Sequence, residues 1–157
     1  MNWVQEDFMK NILKTLAVAS GLGIAVASVA MAGPVEDRKE IMKSVGKAIK
    51  AAVPMAKGEV PFDAAAAIAA MKTMNEGAEK FAALFPEGSG DHPETEASPK
   101  IWENKDDFAA KANDLKTASA EAIEAAGKGQ EEFKAALFGS VVKTCKGCHD
   151  AYRVKKN

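Results

Sequence analysis

Five residues near the C-terminus, Cys145-Lys146-Gly147-Cys148-His149, hold both cysteines of the chain and one of its two histidines. Three chemistries use such a set. A redox dithiol places its thiols at a helix N-terminus after a strand, where the dipole lowers the thiol pKa. A zinc site takes four ligands when structural and three when catalytic. Cys145, Cys148 and His149 supply three at an awkwardly tight spacing, and no second ligand cluster exists in the sequence. His92, the other histidine, stands alone in a loop-forming stretch and reads as a solvated side chain. Covalent haem attachment takes two thiols on one helix face with an imidazole beside them. Positions i and i+3 of a helix share a face. Cys145 and Cys148 then both reach the edge of one flat macrocycle and form thioethers with its two vinyl groups, and His149 ligates the iron. The spacing favours this third chemistry, with the dithiol as its competitor.

Histidine ligation leaves one face of the iron to a group from another helix. In the segment after Val35, Arg38 and Met42 fall on the apolar stripe. An arginine there should not be buried without a partner, and a haem propionate would pair with it bidentately. Met42, one turn further on, would lie over the ring, where a thioether raises the iron's potential. Ordinary core filling is the commoner use of methionine, and it is the reading for Met71 and Met74.

These residues need helices to hold them, and the sequence supplies four. Val35, Arg38, Met42, Val45, Ile49, Ala52 and Ala56 repeat at spacings of three and four over 35–57. Pro54 should kink or shorten the end of that helix. Gly58 and Pro61 break the chain, and Asp63 is a candidate N-cap for a second helix over 63–85. The stretch PEGSGDHPETEASP forms the longest loop. A third helix runs over 104–126, with Asn104 as cap. A fourth runs from 130 to 152 or beyond, its stripe including Phe138, Val141, Cys145, Cys148 and Tyr152. No stretch alternates with period two. The expected fold is all-α, an antiparallel up-down four-helix bundle with one covalently bound haem c. The stripes are rich in alanine and poor in leucine and isoleucine. Such a core is under-filled, and a large apolar cofactor among the helices would take the missing volume, although close packing through alanine would also account for it.

The 157 residues carry 21 basic and 22 acidic side chains. That length suits one domain, and near-neutrality argues against a nucleic-acid partner. The N-terminal stretch MKNILKTLAVASGLGIAVASVAMAGP has Lys10 and Lys14, an apolar run and the small-residue ending Ala30-Met31-Ala32. It reads as an export signal over 1–32, cleaved after Ala32, with Met9 as a candidate start. The run is just short of a comfortable membrane span. The mature domain, 33–157, then lies outside the cytoplasm without membrane insertion, where haem of this kind is attached.

The chain resembles the class II c-type cytochromes, the cytochrome c′ family. The likeness runs through EDRKEIMKSVGKAI, KGEVPFDAAA, ALFPEGSG, SPKIWEN and CKGCHDAYR, and so covers the whole mature chain. It implies a four-helix bundle in the bacterial periplasm, with Cys145 and Cys148 as thioether sites and His149 as proximal ligand. It also implies Arg38 beside the propionates, Met42 at the distal face, and Lys39 at the haem edge where glutamine is commoner. The family divides on the sixth ligand. A methionine-ligated, low-spin branch looks like a simple electron carrier. A five-coordinate branch binds nitric oxide or carbon monoxide at an open distal site. Met42 and the stretches RKEIMK and FPEGSG are closer to the first branch. Either makes the chain a carrier or binder, not an enzyme, served by periplasmic redox partner proteins or a diatomic gas, and as monomer or homodimer. The cluster Lys143, Lys146, Arg153, Lys155 and Lys156 suits an acidic partner at the haem edge and equally a solvated helix end.

Overall fold

The computed structural model describes residues 33–155, and four helices account for most of them. The expected export signal over 1–32 and Lys156 fall outside the described residues. Helix α1 spans Pro34–Lys57. Proline in its first turn costs no hydrogen bond, and Glu36 and Asp37 there complement the helix dipole. Pro54 does not shorten the helix, which continues to Lys57. The end is set by Gly58, whose φ of 74° is left-handed and which closes the last turn by donating to the Met55 carbonyl. Proline is tolerated there because it lies within the final turn.

Helix α2 spans Ala64–Phe81. Asp63 caps it as expected, its carboxylate accepting from the Ala66 amide at 3.0 Å. The expected extension to Phe85 tightens into a 3-10 turn at Ala82–Leu84. A single helical turn, Lys100–Glu103, follows the long loop. Helix α3 spans Lys105–Lys128. Asn104 precedes it but does not cap it, because its side chain instead donates back to the Lys100 carbonyl at 3.2 Å. The fourth helix, α4, is α-helical at Gln130–Ala136, widens into a π turn at Leu137–Val141, and is α-helical again at Val142–Tyr152. The described residues contain no strand beyond one isolated antiparallel bridge, Ala97 to Arg153.

Successive helices pack against one another, and α2 lies closest to α3. Asn75 on α2 donates to the Lys116 carbonyl of α3 at 2.7 Å and to the fully buried Ser119 hydroxyl at 3.2 Å. Gly77 allows α2 to approach α1, since a Cβ there would stand 3.1 Å from Val45 and 3.2 Å from Ile41. The large fully buried side chains Phe133, Met71, Met74, Leu137 and Val141 sit in the main core. Each such side chain contributes roughly 1.5–3 kcal/mol. Met71 and Met74 are thus core filler.

Phe133, Leu137, Val141 and Cys145 are spaced by four. In a regular α-helix that series drifts around the axis by about 40° per step. The wider π turn absorbs the drift, so a single side of α4 feeds the core first and the region of the cysteines afterwards. A second cluster joins Ile101, Phe108 and Tyr152 to Phe81, Phe85 and Trp102. Within it the Tyr152 hydroxyl donates to Asp107 and locks the end of α4 to α3.

Two outcomes are expected. Asp63→Ala removes the α2 cap and lowers stability by about 1 kcal/mol, read from thermal melts of the holoprotein. Tyr152 is the only tyrosine, and donation to Asp107 pushes its pKa up to about 12. Folding therefore favours the protonated phenol. That stabilisation is complete below about pH 10, the ordinary tyrosine value, and disappears as pH rises through 12. An ultraviolet phenolate titration should show its midpoint near 12 in the folded protein, and Asp107→Asn should bring it back toward the ordinary value.

Candidate haem site

Toward the end of α4 the four helices border a partly open cavity of about 610 Å³. This falls within the roughly 300–1,000 Å³ of ligand and cofactor pockets. Of the stripe alanines only Ala78 and Ala112 line this cavity; Ala52, Ala56, Ala67, Ala122 and Ala126 are fully buried in the main core, where the helices pack closely through alanine. Val35, Arg38, Lys39 and Met42 line it from α1, and Cys145, Cys148 and His149 from α4. Phe81, Phe85, Phe108 and Leu115 supply apolar walls. All six residues singled out from the sequence thus border one cavity. Met71 and Met74 do not, and His92 is exposed in the loop, its Nδ1 accepting from the Glu94 amide at 3.2 Å.

Cys145 and Cys148 are free thiols, half-buried in the last α-helical segment. Burial pushes both thiols above their usual pKa, and for Cys148 it outweighs the lowering effect of Lys111. A reactive dithiol needs the opposite shift. The cysteines lie inside α4 and not at its N-terminus, and no strand precedes them among the described residues. Among the described residues, no group of three or more His, Cys, Asp or Glu is arranged to hold a metal ion. The zinc geometry is accordingly not met. Desolvation, and then the nearby Arg153, pull the His149 pKa below its usual value. Its imidazole is held neutral, the form that ligates iron.

Arg38 is 5% exposed. Its Nε donates to the Pro34 carbonyl at 2.9 Å, and one terminal nitrogen donates to the Ser89 carbonyl at 3.0 Å. The guanidinium lies 4.3 Å from the centroid of the Phe85 ring. The other terminal nitrogen is buried with no partner among the described residues. Burial lowers the pKa of Arg38, while Glu36 partly opposes the shift. An unpaired nitrogen on a buried cation bordering an apolar cavity fits the carboxylate of an amphiphilic ligand. The residues present fit haem c on each count: volume, apolar walls, a carboxylate partner, paired thiols and a neutral imidazole.

Lys39, beside Arg38, forms an ion pair with Glu94 at the rim, and that partner raises its pKa. Glu94 and Glu96 both line the cavity, as do Lys111 and Arg153. Nothing in the sequence marks the two glutamates. Their place depends on how a loop of fifteen or so residues folds back over the bundle, and no local period encodes that.

A family model described as cytochrome c′ matches residues 33–153. Cytochrome c-556 of Agrobacterium fabrum is 40% identical over 145 residues, covering 92% of this chain and 97% of that protein. Cytochrome c′ of Rhodopseudomonas palustris is 38% identical over 154 residues, covering 95% and 100% respectively. The solved structure of cytochrome c′ from Rhodopseudomonas palustris superposes with a TM-score of 0.75 at 36% identity, covering 80% of this chain and 99% of that one. With the cavity, the paired thiols and the neutral imidazole already in place, this match over most of the chain makes it a member of the cytochrome c′ family, the class II c-type cytochromes, with covalently attached haem c as its cofactor.

Proposed function

We propose that the protein is an exported electron carrier in which Cys145 and Cys148 hold the haem through thioethers, His149 is the proximal ligand and Met42 the sixth. The observation that carries the reading is the cavity itself, bordered by Met42 and Arg38 on one helix and by the cysteines and His149 on another. When bound, haem c supplies a one-electron ferrous–ferric couple.

The chain's own residues do the rest. The unpaired nitrogen of Arg38 donates to a propionate and neutralises it inside the bundle. Lys39 stands at the same edge, where its charge is balanced by Glu94. The Met42 thioether favours the ferrous state and closes the distal face. The phenyl rings of Phe81, Phe85 and Phe108 keep water from the macrocycle. Residues 1–32 act as the export signal, cleaved after Ala32, and the domain works in the periplasm with soluble redox partners. No helix among the described residues is long and apolar enough to cross a membrane.

Visible spectra of the ferric and ferrous holoprotein, with and without carbon monoxide, test the reading. The wild type should be low-spin, with a ferric sulfur-to-iron band, and unmoved by the gas. Met42→Ala should become high-spin, bind carbon monoxide and lose midpoint potential on the order of a hundred millivolts, a fraction of the ~0.8 V range that axial ligands command. A high-spin wild type that shifts with carbon monoxide sinks the electron-carrier assignment and makes the protein a five-coordinate binder of nitric oxide or carbon monoxide.

A further inference from the structure

The loop over residues 86–99 reaches two of the four helices that border the cavity, α1 and α4. On one side it is tied to α1. The Ser89 carbonyl accepts from Arg38 at 3.0 Å, and Glu94 pairs with Lys39. On the other side it is tied to the chain just after α4. The Val154 amide donates to the Glu96 carbonyl at 2.8 Å, and the Ser98 amide to the Tyr152 carbonyl at 2.9 Å. Ala97 and Arg153 form the isolated bridge, and the Glu96 carboxylate pairs with Arg153 at 2.6 Å. Thr95 and Ser98 are buried beneath this seam, and residues 94–97 border the cavity.

Helix α1 packs well on the first segment of α4, Gln130–Ala136, where the Gln130 side chain also donates to the Met55 carbonyl at 3.0 Å. It makes no comparable packing with Val142–Tyr152, because the cavity lies between them. At this end the loop is what links the two helices. Met42 is one turn beyond Arg38, and His149 is one turn before Arg153, so both loop attachments lie one helical turn from the two residues read as ligands.

We propose that Glu94 and Glu96 are positioning residues: by tying the loop to Lys39 and Arg153, they brace α1 against the end of α4 and set the separation across which Met42 reaches the iron. The proposal rests on Met42 and His149 being the two axial ligands. An iron–thioether bond tolerates little displacement, and at this end α4 is held to α3 by the Tyr152 cluster but does not pack directly on α1. The brace therefore sets the balance between six- and five-coordinate iron, and with it whether an added diatomic ligand gains entry. Exposed ion pairs contribute little singly, so the bridge and both pairs act together.

The test is a holoprotein variant with the brace released, E94Q/E96Q/V154P. Val154→Pro removes the amide that donates to Glu96. Arg153 before it is already extended, at φ −110° and ψ 130°, as a residue preceding proline must be. The ferric high-spin fraction should rise about threefold and carbon monoxide should bind the ferrous protein faster by a similar factor, because the on-rate scales with the open fraction of a two-state population. Glu79→Gln removes an ion pair of similar exposure between α2 and α3, 2.9 Å in length, and should change neither. Far-UV circular dichroism restricts the comparison to folded protein. If the triple variant does not fold, E94Q/E96Q and V154P separately carry the same readings. An unchanged spin state and gas-binding rate in the released variants, or an equal change in Glu79→Gln, overturns the brace. Met42→Ala, measured alongside, tells the two failures apart. If Met42→Ala shifts and the released variants do not, the brace alone falls. If Met42→Ala leaves the spin state unmoved, the ligation reading falls and takes the brace with it.

Discussion

A helix bundle closes its interior only where facing side chains have the volume to fill it, and here they do so at one end. Around Phe133, Leu137, Met71 and Met74 the helices enclose large apolar groups and pack to a dry core. Toward the end of α4 the apolar side chains stand back from one another, and about 610 Å³ is left between α1 and α4. Close packing at one end and the cavity at the other are two results of the same constraint. The filled end fixes the helix axes, so the open end cannot collapse. An apolar space of this size loses dispersion contacts on every wall unless a ligand restores them. Haem c is thus as much a part of the core as the phenylalanines opposite it.

Arg38 shows how this constraint extends to charge. A guanidinium in a low-dielectric wall is costly unless it is paired and hydrogen-bonded. Two of its nitrogens reach backbone carbonyls and its face lies over Phe85, yet one nitrogen remains unpaired. Neighbouring Glu36 gives only partial compensation. The site is therefore incomplete electrostatically in the same place where it is incomplete in volume. One amphiphilic ligand, with an apolar body and carboxylate tails, answers both deficits. His149 belongs to the same balance: it lines the cavity although exposed, and desolvation and then the nearby Arg153 lower its pKa.

The long loop belongs to this arrangement as well. A loop over a packed core could drift without consequence, but this one borders the cavity and is held from both sides. Two of its residues, Thr95 and Ser98, are as buried as core alanines. Their polar groups find partners locally: the Thr95 hydroxyl accepts from the Ala97 amide at 3.2 Å, and the Ser98 hydroxyl from Lys100 at 3.4 Å. Order in the loop is thereby compatible with burial.

Much was legible in the sequence because it is encoded locally. The three-four periodicity marked α1, α2 and α3 within a few residues, and Asp63 and Gly58 marked a start and an end. The spacing of Cys145, Cys148 and His149 suggests one chemistry in five residues, whereas the alanine-rich stripes belong for the most part to the packed core and not to the cavity. Other features were decided by tertiary packing. Pro54 lies so near the helix end that the left-handed glycine, not the proline, stops it. Asn104 finds a nearer carbonyl and gives up its cap. The π turn that keeps Leu137, Val141 and Cys145 on one side of α4 has no local signal in the sequence. Glu94 and Glu96 look like any acidic loop residues until the loop folds over the cavity and meets Lys39 and Arg153. The sequence by itself determined the helices and the chemical identity of the site. The fold alone brought Arg38 and Met42 of one helix to face the cysteines and His149 of another, because a contact across the bundle depends on where every intervening side chain packs.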